Sequence, residues 1–153
     1  MLSSRDRNDR VASIIKHKRV LGVVRADINA LEFVGGRQKD PKIVDNLKEH
    51  FQRARCRRFI PDNYIPVLIT ITELRKALRA SGLNEQAFQT PAKDGSFFLK
   101  TAPRQNLKCL EGRHRIEAAK QILPPGDHWW TFKLLLLLPH GEFPQLYSEI
   151  YTL

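Results

Sequence analysis

Residues 108–120 read KCLEGRHRIEAAK, and this stretch decides the fold. Leu107 to Leu110 have the composition of a short strand, Gly112 breaks it, and a helix follows to about Leu123, where Pro124-Pro125-Gly126 stops it. Ile116, Ala119 and Leu123 share one face of that helix and Ala118 widens it, a pattern made for packing on a sheet. The first turn, however, crowds together Arg113, His114 and Arg115. A helix N-terminus already carries roughly half a positive charge and N–H groups with no partner inside the helix. Cations placed there are locally inconsistent, and such inconsistencies tend to mark functional sites. A bound anion resolves the conflict, because backbone donors, helix dipole and guanidinium groups then converge on one phosphate, and the expected source is a nucleotide. Gly112 lets the backbone approach closely or take an unusual turn. The competing reading is that Glu111 and Glu117 neutralise the charges and the arginines simply reach solvent.

Outward from this turn, VLGVVRADI (Val20 to Ile28) and Trp129 to Leu138 read as strands, and Phe97 to Lys100 and Val67 to Ile69 as shorter ones. Asp40-Pro41 starts a helix, with Asp40 as N-cap and Pro41 at the first helical position. Ile43, Leu47, Phe51 and Ala54 form its buried stripe. The helix runs into Arg53, Arg55, Arg57 and Arg58, a cluster that suits either the negative end of the dipole or a nucleic-acid contact. Pro61 and Pro66 predict an irregular connection. Thr70 and Glu73 form a capping box; Leu74, Ala77 and Leu78 follow as a buried stripe, and Gly82 ends the helix. A further short helix is expected around Glu85 to Phe88, a loop over Thr90 to Ser96, and a last helix over Pro144 to Tyr151. Residues 1–19 form a basic N-terminal segment with an apolar spacing at Val11, Ile14 and Ile15, and 20–153 a single domain, whether whole or part of a longer protein. Strands and helices mix without regular alternation, which gives α+β: a small mixed sheet with flanking helices.

The chain has 153 residues, 42% of them hydrophobic, enough for a core. Its 26 Lys and Arg against 16 Asp and Glu leave a formal charge of +10. That favours polyanionic partners: nucleotide, DNA or another polyanion. The longest apolar run, Leu134 to Leu138, is far short of the ~20 residues a membrane span needs, and the N-terminus lacks a secretory signal. Two cysteines, Cys56 and Cys109, make no disulfide framework and fit an intracellular setting, nuclear in a eukaryote. Cys109 reads as a buried small residue. The histidines lack metal-ligand spacing, so no metal site is predicted. Of Trp129 and Trp130, one belongs in the core and the other faces outward; base stacking would need cations close by, and only Lys133 is near in sequence.

LEGRHRIEAA resembles the second signature of the ParB/sulfiredoxin-like superfamily, and VVRADINALEFVGGRQKDPKIVDNLKEHF followed by NYIPVLIT is similar to that family's entry. The tandem tryptophans also look like an uncharacterised fungal family with this domain. The resemblance covers roughly Val20 to Leu138 and implies a nucleotide-binding cleft for CTP or ATP, with Mg²⁺ as an accompanying ion, in a DNA-associated protein. Carried over by position, Gly112, His114 and Arg115 match the phosphate-binding places, Arg113 joins them through the charge argument alone, and Arg37 matches the arginine of the family's first loop. Arg113 stands where ParB-type proteins carry a catalytic glutamate and sulfiredoxin its cysteine, which puts CTP hydrolysis and sulfinic-acid reduction in doubt. An enzyme here would be an NTP hydrolase, phosphotransferase or nuclease, with Glu111 and His114 as catalytic groups and Glu117 close by. The non-enzymatic alternative is a basic nucleic-acid-binding module using Arg53, Arg55, Arg57 and Arg58. A homo-oligomer is open.

Overall fold

The computed structural model describes residues 12–13, 15–34, 40–54, 56–84, 88 and 97–138. Arg37, Arg55, the loop expected over Thr90 to Ser96 and the helix expected over Pro144 to Tyr151 lie outside them, as does most of the one expected around Glu85 to Phe88. Six strands form one mixed sheet: β1 (Val20–Asp27), β2 (Leu31–Phe33), β3 (Ile65–Ile69), β4 (Phe98–Leu99), β5 (Leu107–Cys109) and β6 (Trp129–Leu136), in the order β2-β5-β3-β6-β1-β4. β6 lies between β3, which it pairs in parallel, and β1, which it pairs antiparallel; β2 and β5, like β1 and β4, pair in parallel, and β3 pairs antiparallel with β5. Among the described residues three α-helices pack with the sheet, α1 (Pro41–Ala54), α2 (Ile71–Ala80) and α3 (Arg113–Ile122), and residues 12–13 and 15–17 are helical as well.

The strand period of two divides the sheet into two faces. Trp130, Phe132 and Leu134 of β6, with Val24 and Ala26 of β1 and Ile65, Val67 and Ile69 of β3, join Val44 and Phe51 of α1, Leu74, Ala77 and Leu78 of α2, and Ile116, Ala118 and Ala119 of α3 in the main core. All three helices therefore cover one face. On the other face Leu68, Leu110, Leu135 and Leu137 pack with Val34 and Ile15 in a smaller cluster. Trp130, Phe132, Leu134 and Leu135 of β6 are completely buried; each such side chain stabilises the fold by about 1.5–3 kcal/mol.

The ends of α2 form as their residues dictate. Thr70 Oγ1 accepts from the Glu73 N–H (3.1 Å) and Glu73 Oε1 accepts from the Thr70 N–H (3.1 Å). At the other end Leu83 N–H donates to Leu78 O and Gly82 N–H to Arg79 O, with Gly82 left-handed at φ 70°, a Schellman motif. Thr70→Ala is expected to destabilise the domain by about 1 kcal/mol, read as a lower urea midpoint with unchanged slope.

Pro66 corrects the sequence reading. An irregular connection was expected there, yet Pro66 is buried within β3, between β5 and β6. The Pro66 carbonyl accepts from the Leu110 N–H (3.0 Å), just past the last residue of β5. N–H and C=O of one strand residue point the same way, so the N–H that proline lacks falls where the β5 ladder has already ended. Pro61 does open an irregular segment, a 3₁₀ turn over Pro61–Asn63.

Candidate functional site

The 111–115 turn joins β5 to α3. Gly112 sits at φ 94° in the left-handed region, and a Cβ there would lie 2.8 Å from Cδ1 and Cγ1 of Ile65 on β3. Glycine is thus required by backbone angle and by close packing. No side chain caps α3, and no acidic residue occupies its first turn. Arg113, His114 and Arg115 are all half-buried at that end, and Glu111 is exposed.

The start of α1 lies beside it. Asp40 caps its own helix through Oδ1, which accepts from the Lys42 N–H (3.0 Å). His114 Nε2 accepts from the Asp40 N–H (3.0 Å), which places the proton of the neutral ring on Nδ1. At the far ends of the same helices, Phe51 of α1 and Ile122 of α3 line a common cleft. The two helices therefore run side by side in the same direction, and their positive dipole ends meet at the 111–115 turn. The described ends of the segment that holds Arg37 flank this turn: Val34 N–H donates to Cys109 O (2.9 Å), and Asp40 is bound to His114.

Arg115 turns inward. Its Nη1 donates to the Asn63 carbonyl (3.2 Å), which also accepts from Trp130 Nε1 (2.9 Å). Burial lowers the pKa of its guanidinium, opposed by the Glu111 carboxylate; an arginine so placed stays charged. Arg115 thus ties α3 to the 3₁₀ turn, a positioning task that its place in the motif did not announce. His114 Nε2 is engaged as an acceptor, so proton abstraction by that nitrogen would release the Asp40 N–H. Cys109 is completely buried, and burial pushes its thiol pKa far up, so it is an inert core residue as expected. Among the described residues no three of His, Cys, Asp and Glu converge to hold a metal ion.

The arginine cluster divides. Arg53 is exposed and stands 4.0 Å from Glu49. Arg57 is exposed, with a left-handed backbone at φ 45°. Arg58 is held inside the structure: Nη2 bonds Asp127 Oδ2 (2.9 Å), Nη1 donates to the carbonyls of Asp127 and Trp129 (both 3.1 Å), and the guanidinium lies 3.6 Å from the Trp129 ring centroid. Arg53, Arg57 and Arg58 also stand near the C-terminal, negative ends of two parallel helices, which accounts for much of the cluster by dipole alone. Trp130 is the core tryptophan and Trp129 the half-buried one. Sequence reasoning missed Asn63 and Asp127: the arginines they hold, Arg115 and Arg58, lie 52 and 69 residues away, whereas the Asp127–Trp129 bond (2.7 Å) is local.

The fold and this turn define a mixed α/β domain with a six-stranded sheet covered on one face by three helices. No helix among the described residues is long and apolar enough to cross a membrane. The chain belongs to the family described as protein of unknown function (DUF3723), N-terminal domain, whose profile matches residues 20–146. No curated protein and no solved structure matches it. The family match overturns the resemblance to the ParB/sulfiredoxin-like superfamily, neither branch of which matches. The physical reason is the brevity of the shared pattern: Gly112 is explained by its backbone angle and by Ile65, and Arg115 by Asn63, so little of GRHR is left to identify a superfamily.

Proposed function

We propose that this domain binds a phosphate-bearing ligand, a nucleoside triphosphate such as CTP or ATP, at the N-terminus of α3. The observation that carries this reading is the uncapped first turn of α3, without a carboxylate and beside the N-terminus of a parallel helix. Two positive dipole ends meet there, and a polyphosphate offsets them while accepting from the backbone N–H groups of the turn. Arg113 supplies the charged contact. His114 holds the two helix starts together and so keeps the donors in place. The net charge of +10 favours such a ligand at long range. Binding is favoured over turnover, because Glu111 is exposed and His114 Nε2 already has a partner.

Calorimetry with CTP, ATP, GTP and inorganic pyrophosphate, with and without Mg²⁺, tests the reading. Wild type is expected to bind at least one triphosphate, and Arg113→Ala to weaken it about tenfold, the loss of one charge-assisted hydrogen bond. The melting temperature of the variant checks that the domain still folds. If wild type takes up none of the four, the reading is wrong.

A further inference from the structure

A second feature lies at the opposite end of α3, about 15 Å along the helix from the phosphate turn. A cleft of about 580 Å³ opens there, lined by Arg57, Arg58, Phe59, Leu123, Pro124 and Trp129, within the range of about 300–1,000 Å³ usual for small-ligand sites. Its walls are flat and aromatic. The Phe59 and Trp129 ring centroids are 5.3 Å apart with planes tilted by 50°, and Phe59 is 52% exposed, the most exposed large apolar side chain among the described residues. The Arg58 guanidinium, stacked on Trp129, adds a planar cationic surface. An exposed phenylalanine beside exposed arginines is a poor face for solvent, and no described aromatic besides Trp129 packs on it.

The backbone beneath is held in an uncommon state. Arg57 has φ 45°, which costs a residue with a Cβ free energy that glycine would not lose. Its carbonyl accepts from the Ile60 N–H (3.3 Å) and from Asn63 Nδ2 (3.1 Å), which fixes that conformation. The result presents the Arg57 side chain at the rim of the aromatic cleft. Strained positions of this kind cluster where ligands are held.

We propose that this cleft takes an unpaired nucleobase of single-stranded nucleic acid, with the base against Phe59 and the Arg58–Trp129 stack and the adjoining phosphate on Arg57. Charge complementarity selects this occupant: aromatic faces accept any base, and the neighbouring Arg53 and Arg57 suit a phosphate backbone. Duplexes are excluded, because their bases are stacked and paired inside the helix. The cations that stacking requires were invisible near Trp129 in sequence. Folding brings Arg58 against the ring and Arg25 to 5.6 Å from its centroid.

Fluorescence titrations of the whole chain with an RNA strand of about ten nucleotides, the same sequence as DNA, the matching duplex and a free mononucleotide test the proposal. Expected is salt-sensitive binding of the single strands, RNA and DNA arms showing which is the source, with the duplex much weaker. Phe59→Ala should weaken single-strand binding about tenfold, and Phe59→Tyr should restore it, since both rings stack. Arg57→Gly should also weaken binding and lower the salt slope by about one. Glycine suits φ 45°, so this variant should melt no lower than wild type. Lys76→Ala, an equal loss of charge on exposed α2, should leave affinity unchanged. Equal affinity for duplex and single strand, equal losses for Phe59→Ala and Phe59→Tyr, or no nucleic-acid binding in any arm would each overturn it.

Discussion

Gly112→Ala is expected to lower the stability of the domain by about 2–5 kcal/mol, the sum of a left-handed penalty of about 1–2 kcal/mol and overpacking of about 1–3 kcal/mol. The added methyl would meet the Ile65 side chain at 2.8 Å, and Ile65 is completely buried on β3, so any shift must displace core neighbours. Gly82→Ala is the comparison. It has the same handedness, φ 70°, but nothing within 4 Å of the added carbon, so only the backbone penalty of about 1–2 kcal/mol should appear. Urea unfolding of the two variants separates backbone strain from close approach; equal losses would show that the contact with Ile65 is not tight. The result also bears on the phosphate site. A Gly112 variant that binds poorly would report a damaged fold, whereas Arg113→Ala leaves the left-handed glycine and its contact with Ile65 in place.

Arg58→Ala is expected to cost about 2–4 kcal/mol, because it leaves the carbonyls of Asp127 and Trp129 and the Asp127 carboxylate without their donor. The lower part of that range is favoured by Asp127, whose side chain is 43% exposed and is partly rescued by water. Arg58→Lys should recover only a minor part, since a point charge can replace neither the fork of hydrogen bonds nor the stacked plane. The same knot gives a pH dependence. The hydrogen bond from Arg58, then that from Trp129 Nε1, holds the Asp127 carboxyl below its ordinary range, against some desolvation. A depressed carboxyl contributes stability above its unfolded pKa, so this contribution is present at neutral pH and is lost as the pH falls below about 4. Asp127→Asn should flatten the acid limb of the stability curve; an unchanged limb would show that other carboxylates set it.

Much of the fold was legible because its signals are local. The apolar composition of the two long strands, expected over Val20 to Ile28 and Trp129 to Leu138 and formed over Val20–Asp27 and Trp129–Leu136, the cap of Asp40-Pro41, and the Thr70–Glu73 box all act within a few residues and all appear. What was missed acts at a distance. β2 has three residues, too few to show a period, and exists because β5 lies beside it. Pro66 reads as a breaker until its ladder position is known. Arg58 counts as a surface cation in a run of arginines, and only Asp127, 69 residues on, turns it inward. Cations at a helix start single out the 111–115 turn in the sequence, but the superfamily drawn from it does not hold: a left-handed glycine and an inward arginine are also what packing a helix start against β3 demands.

The order of the sheet has a consequence for how the chain reaches this state. Among the described residues no two strands adjacent in sequence are neighbours in space; the order runs β2-β5-β3-β6-β1-β4. These strands therefore offer no hairpin as an early, cheap nucleus, and the longest ladder joins Val20–Asp27 to Trp129–Leu136 across more than half the chain. Proteins dominated by such distant pairings collapse first and organise slowly, over milliseconds to seconds. On a ribosome, β1 and β3 would both wait for the strand that fits between them, with their edges and apolar faces open until it emerges. Such a window is when a chain is most exposed to aggregation and to chaperones.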